Sequence, residues 1–336
     1  MFTSFIGNIN MYTGLLSVYL GTACLLWVSC PNKLRSIWYY VNVWVIFIAL
    51  ITGRSDNAYL SLVAAFTFIP IYAFRTRQGI RRYVVLLATF LTSLKVIEWI
   101  ATTYADRVYR INSLYTSLVS FSKLILLIKV LWIIAIILYL IDFISKKADA
   151  TVSPWFSRIW IGLIVIGFAA FLYVLYDVNI AGNADQYGSA KSFLLFNDSW
   201  GTHRGVIWRL AIEDYQDFTP LHKLFGYGPD TFGLVTYYHN MDIMSNVYHQ
   251  IFDSAHNEYL QFFITVGPIG LLSYLAIFVT AFIRIIKKGC QNPYVIAAMF
   301  GVLCYSAQAT VNIGTPITIP IMFLFLSMAL AGCRES

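Results

Sequence analysis

Two kinds of side chain able to do chemistry at neutral pH gather in one stretch of this sequence. All five histidines (His203, His222, His239, His249 and His256) fall between Asp177 and Glu258, with ten of the sixteen acidic residues. Histidine exchanges a proton near neutrality. Arginine offers a planar fork that grips two oxygens of a carboxylate or phosphate. Arg204 stands beside His203, and Trp208 follows at a spacing that shares a helix face with Arg204. Arg209 lies ~140° away on that helix and four residues before Glu213, which suits a structural ion pair. His256-Asn257 closes the stretch. A helical turn before it would place Asp253 on the same side as His256, able to fix its tautomer. The five cysteines have no CxxC spacing and imply no disulfide framework. No acidic pair has metal-ligand spacing, and Gly226–Asp230 fits neither a P-loop nor a dinucleotide fingerprint. Neither metal nor cofactor is expected.

The sequence around this island is apolar. Hydrophobic residues make up 59% and charged residues 12%, about half the usual ~25%. Several apolar runs are long enough to cross ~30 Å of hydrocarbon. The expected fold is all-α: a polytopic membrane protein of about nine spans. They are Ile9–Cys30, Ile37–Thr52, Ala58–Phe74, Tyr83–Ile100, Leu124–Ile144, Ile159–Tyr176, Tyr259–Ile286, Tyr294–Gln308 and Ile317–Cys333. One large loop separates spans six and seven. Three regions follow: membrane helices over 1–176, a loop over 177–258, and further membrane helices over 259–336. No basic stretch precedes the first apolar run, so no cleavable signal peptide is expected.

Charge sets the orientation. With the large loop outside, the cytoplasmic segments hold Lys33, Arg35, Arg75, Arg77, Arg81, Arg82, Lys146, Lys147, Arg158, Arg284, Lys287, Lys288 and Arg334. The short outer loops hold only Arg54, Arg107 and Arg110. That bias follows the positive-inside rule, and it accounts for the net charge of +7 without a nucleic-acid partner. Nine spans with an inside C-terminus put the N-terminus outside.

Within the spans, Lys95 and Glu98 are spaced to pair, Lys123 is placed to snorkel, and Lys129 lies deeper. Within the loop, little regular structure is expected up to about Ser199. A short helix should run from Val206 to Gln216, with Val206, Ile207, Leu210 and Ala211 on its apolar side and Pro220 ending it. Gly226–Asp230 should turn. Helical pattern resumes at Ser254, and Gly267-Pro268 should bend the seventh span.

Four pieces, taken together, resemble the O-antigen ligase and polymerase superfamily of bacterial membrane glycosyltransferases. Ile51–Phe66 carries Arg54 at the start of an outer-facing span, although Gly53 replaces the family's serine. His203–Trp208 resembles its Arg-x-x-x-Trp. Leu224–Phe232 resembles its Leu-x-Gly-x-Gly-Pro-x-x-Phe. His256-Asn257, followed at Gly267 and Gly270, matches its His-Asn-x9-Gly-x-x-Gly. The pieces cover roughly two thirds of the chain, in the family's order. Members have more spans than nine, so N-terminal helices are expected to be missing here.

The resemblance implies attack of a sugar hydroxyl on the anomeric carbon of an undecaprenyl-diphosphate-linked glycan. The reaction would invert that carbon, at the outer face of the plasma (inner) membrane. The implied catalytic residues are His256 as base, with Arg204 and Arg54 on the diphosphate. Asn257, Trp208, Asp253 and Arg209 would be substrate-binding or positioning. The partners are the lipid-linked donor, a glycan or glycolipid acceptor, and the bilayer. Without the resemblance, Arg54 reads as a headgroup anchor, Arg204 as a solvated charge and His256 as a merely polar loop residue. Ligase and repeat-unit polymerase share these motifs. A lipid-carrier transporter and an inactive truncated homologue are the readings from other classes.

Overall fold

The computed structural model describes residues 6–108, 111–145, 150–288 and 291–335. Arg110, Lys146, Lys147, Cys290 and the side chain of Arg334 lie outside the described residues. Among those described, every regular element is helical, and one isolated β-bridge joins Thr76 to Thr151. In order the helices are α1 (Ile9–Ser29), α2 (Lys33–Thr52), α3 (Ala58–Ala73), α4 (Arg77–Thr103), α5 (Ser113–Val119), α6 (Leu124–Ser145), α7 (Trp155–Asn179), α8 (Lys191–Leu194), α9 (Trp200–Gln216), α10 (Pro220–Phe225), α11 (Phe232–Asp242), α12 (Glu258–Thr265), α13 (Gly267–Lys287), α14 (Pro293–Gln308) and α15 (Thr318–Glu335).

Seven of these elements are long and apolar enough to cross a membrane: α1, α2, α4, α6, α7, α13, and α14 with its short extension to Val311. The chain is therefore a multi-pass helical membrane protein. The remaining two expected spans are shorter apolar helices, Ala58–Ala73 and Thr318–Cys333. The expected seventh span is not one bent helix. It breaks into α12 and α13 at Gly267, whose φ of 71° no helix can continue through.

The chain divides into two compact units. The first comprises Met1–Gly162, Phe282–Gln308 and Thr315–Ser336. Its core is built on α1, which packs against α14, α2 and α3, and includes Leu20, Cys24, Phe47, Leu86 and Phe300. A polar clasp sits inside that apolar contact. Ser17 Oγ donates to Gln308 Oε1 at 2.5 Å, and Gln308 Nε2 donates to Thr13 Oγ1 at 3.2 Å. Such interhelical bonds hold membrane helices together where hydrophobicity offers little drive. α6 and α7 leave most of their apolar surface uncovered by protein, as surface that meets hydrocarbon does.

The basic connections of this unit gather at one end. Arg82 donates to the carbonyls of Trp27 and Cys30, both at 2.6 Å, tying α4 to the end of α1. Backbone bonds Arg77 N to Ala150 O and Val152 N to Arg75 O tie the α3–α4 turn to the approach to α7. Arg35 reaches the Tyr294 hydroxyl, and Lys288 the Cys333 carbonyl. Arg81 pairs with Asp142 at 2.5 Å with both side chains buried. Elsewhere in the unit, Lys95 meets Glu98 at 2.6 Å, the pair expected from their spacing.

The second unit comprises Leu163–Ala281 and Ala309–Gly314. Val206, Ile207, Leu210 and Ala211 of α9 bury the expected face against Phe232, Met244, Phe252, Ala255 and Ile264. Two expectations need correction. Pro220 does not end α9, which closes at Gln216. Pro220 opens α10 instead, where its fixed φ and missing N–H cost nothing. The stretch before Ser199 is also more regular than expected, with a 3-10 turn over Ala184–Ala190 and then α8.

Candidate active site

Among the described residues, six that are not glycine adopt a left-handed backbone: Arg54, Thr202, His203, Asp230, His249 and His256. Each such residue costs about 1–3 kcal/mol and persists only where its surroundings impose it. Each of the four motif stretches contains one: Arg54, His203, Asp230 and His256 in turn. Thr202 adjoins His203.

His256 is built from both sides. On its N-terminal side, Ala255 is fully buried. The Trp208 indole N–H donates to the Ala255 carbonyl at 2.8 Å, and the Ala255 N–H donates to Gln261 Oε1 at 2.8 Å. On its C-terminal side, Asn257 caps α12 by accepting from the Leu260 N–H at 3.0 Å. A capping side chain satisfies a helix-end donor. His256 is thus held between two anchored residues, with φ at 46°. Its own Nδ1 is buried and makes no hydrogen bond. The turn before it is not helical, so the expected tautomer-fixing bond from Asp253 does not form. Asp253 is exposed and acts on His256 only through its charge.

Arg204 begins the regular part of α9, immediately after three successive left-handed residues. Its Nη1 donates to the Gly201 carbonyl at 2.7 Å, folding the guanidinium back over that turn. The turn brings Arg204 within electrostatic range of His256. Burial first, and then the Arg204 charge, push the His256 pKa down, against an upward pull from Asp253. A depressed imidazole pKa leaves the free base in place at neutral pH, as a proton acceptor requires.

The second and third motifs of this unit interlock. The Gly228 N–H donates to the Thr265 carbonyl at 2.8 Å. A Cβ on Gly226 would lie 2.2 Å from Thr265 O, and one on Gly267 would lie 2.1 Å from Leu224 O. Both positions also have positive φ. Only glycine at both allows the α10 turn to lie backbone to backbone on the α12–α13 break, which fixes where α12 ends.

The other sequence candidates fall as follows. Arg209 is a bidentate partner of Asp198, at 2.9 and 2.8 Å, and also reaches Glu213 at 3.0 Å. These hydrogen bonds hold the Asp198 carboxyl below its usual range. That geometry favours the structural role over a substrate contact. His222 stacks on Tyr227 at 3.9 Å, and His203 meets Tyr248 edge-on at 5.2 Å. Arg54 belongs to the first unit, where it follows α2 with a buried Nε that makes no hydrogen bond. Sequence reasoning did not single out Glu258, two residues after His256. It is 1% exposed and accepts a hydrogen bond from the Tyr274 hydroxyl across the helix break. Among the described residues, no group of three or more His, Cys, Asp or Glu side chains comes together as a metal site needs.

No protein-family model matches the chain, and no curated protein matches it.

Proposed function

We propose that this chain is a membrane glycosyltransferase that moves glycan from a polyprenyl-diphosphate carrier, of the undecaprenyl type, to a sugar hydroxyl. The observation that carries the reading is the joint setting of Arg204 and His256. A cation suited to a leaving diphosphate lies near a partly buried imidazole kept in its base form, and both are held by backbone that costs energy to maintain. The four-motif resemblance supplies the reaction class.

In this reading the acceptor oxygen attacks the anomeric carbon from the face opposite the diphosphate. The carbon–oxygen bond to the diphosphate breaks, and its electron pair leaves with the phosphate oxygen. The acceptor proton passes to His256. A single displacement of this kind inverts the carbon. Arg204 stabilises the charge that grows on the departing phosphate, an interaction that strengthens toward the transition state. Trp208 and Asn257 act through His256 by fixing its neighbours. Arg54, in the first unit, keeps only the phosphate-binding role that the resemblance implies.

The reading counts Ala58–Ala73 and Thr318–Cys333 as spans, nine in all, and places Asp177–Glu258 outside. The gathering of basic connections at one end of the first unit supports that orientation. Ala190→Cys should label from outside intact cells, and Ala150→Cys should not. The reverse pattern would overturn the orientation. Activity is tested with a synthetic polyprenyl-diphosphate sugar in detergent. Transfer by the wild type, lost in His256→Ala and retained in His249→Ala, is expected. No transfer to any sugar acceptor by the folded wild-type protein would overturn the function.

A further inference from the structure

A cavity of about 450 Å³ opens inside the first unit, between α3, α14 and the end of α13. That size falls within the ~300–1,000 Å³ of small-molecule sites. Its walls run along the helices. On α3 and the turn after it, Phe68, Ile71 and Arg75 recur at helical spacing, and on α14 so do Ile296, Met299 and Leu303. Each stripe covers about 10 Å at ~1.5 Å per residue.

The two stripes run in opposite directions. Gln78, at the start of α4, donates to the Cys30 carbonyl at 3.2 Å. Arg35, close after Cys30 in the chain, reaches the Tyr294 hydroxyl at the start of α14 at 3.4 Å. The end of α3 and the start of α14 therefore lie together. Arg75 and Ile296 mark one end of the cavity, and Phe68 and Leu303 mark the other.

Polarity follows the same axis. Apart from Arg75 and Gln291, the lining side chains are aliphatic, aromatic or thioether, and none is a carboxylate. Gln291 shortly precedes α14, so it belongs to the Arg75 end. Arg75 is exposed, lies over the Tyr72 ring at 5.3 Å, and has its backbone pinned where its carbonyl accepts from the Val152 N–H at 2.9 Å. None of the ion pairs among the described residues involves Arg75, and Asp142, the buried acid of this end, is taken by Arg81. A slot that is apolar along its length and cationic at one mouth has the polarity of an anionic lipid. Basic sites between membrane helices bind anionic headgroups, and the guanidinium fork suits phosphate oxygens.

We propose that this cavity holds one anionic phospholipid, with an acyl chain along α3 and α14 and the headgroup phosphate on Arg75. The site stands independently of the glycan-transfer reaction.

Native mass spectrometry of the full chain in detergent tests it, with phosphatidylglycerol and zwitterionic phosphatidylcholine as probes. The wild type should retain one phosphatidylglycerol, bound about tenfold more tightly than phosphatidylcholine, the value of one charged hydrogen bond. Arg75→Gln, at an exposed position that leaves the core untouched, should abolish that preference. Arg284→Gln changes an exposed basic residue in the last turn of α13 that does not line the cavity, and should leave the preference intact. Ile71→Trp fills the slot and should end retention of both lipids. Met299→Phe, a gentler filling, carries the same expectation should Ile71→Trp fail to fold. A preference unchanged in Arg75→Gln, or lost equally in Arg284→Gln, would overturn the headgroup assignment. Retention undiminished by the filling variants, or a second copy of the chain bound in place of lipid, would overturn the site.

Discussion

The two units use their polar side chains and their backbone differently. In the first unit polar side chains link long helices to one another, as in Ser17–Gln308–Thr13 and Arg81–Asp142, and Arg54 is the one described left-handed residue other than glycine. The second unit holds the other five, two of them histidines beside helix ends that the motifs define. Its helices are short and interrupted, and its turns are pinned by side chains reaching across to backbone, as Trp208 reaches Ala255. Paired polar groups hold a membrane fold together. Strained residues that surrounding bonds keep in place mark where a fold has been shaped for something other than stability.

Substitutions can separate the two regimes. The largest effect is expected at His256. His256→Ala should lower transfer by about 10²–10⁴, the usual contribution of a positioned base. Alanine keeps a Cβ at the same left-handed position, so the backbone strain is unchanged and the protein should melt close to the wild type. A concomitant collapse in melting temperature would make His256 a structural residue and blur the contrast. Arg204→Lys keeps the charge and loses the fork. It should cost about 1.5–3 kcal/mol of transition-state stabilisation, read as roughly a ten- to hundredfold loss of transfer with carrier binding measured in parallel.

Next come the glycines of the interlock. Gly226→Ala and Gly267→Ala each force a Cβ into a backbone carbonyl at a left-handed position. Each should destabilise by about 2–4 kcal/mol, seen as a lower melting temperature in detergent. Trp208→Phe keeps the ring and loses the N–H to Ala255. A cost near 1–2 kcal/mol is expected, with a fall in transfer that tracks the loosened His256. The smallest effect is expected at Arg209. Its pairs are half exposed and worth little, so Arg209→Lys should leave transfer within about twofold of the wild type.

Much of this contrast was legible in the sequence, because hydrophobic length and periodicity are local. The apolar runs located the long helices. The Val206–Ala211 pattern located the buried face of α9, and Gly267-Pro268 marked the place of the interruption between α12 and α13, though as a bend and not as a break. What escaped was non-local or conformational. Nothing near Gly226 announces that it lies on Thr265, because the two meet only after the chain has turned through α11 and α12. The left-handed backbone at His256 has no compositional signal, since histidine adopts it only under constraint. Glu258 drew no reading of its own, because its burial against Tyr274 depends on the break bringing α13 back alongside α12. Pro220 was misread as a terminator because the same rigid ring that ends one helix begins the next.

The central claim is that Arg204 and His256 work as an electrostatically coupled pair in one reaction. The pH dependence of kcat/KM for transfer tests it most directly, compared among the wild type, Arg204→Lys and Arg204→Gln. In the wild type the rate should fall on the acid side as His256 becomes protonated. That limb should lie below the ~6.5 of an ordinary imidazole, because burial and the Arg204 charge both disfavour the proton. Arg204→Lys retains the charge and should leave the limb in place. Arg204→Gln removes it and should move the limb to higher pH. An acid limb that stays fixed in Arg204→Gln, or one that survives in the residual activity of His256→Ala, would contradict the account.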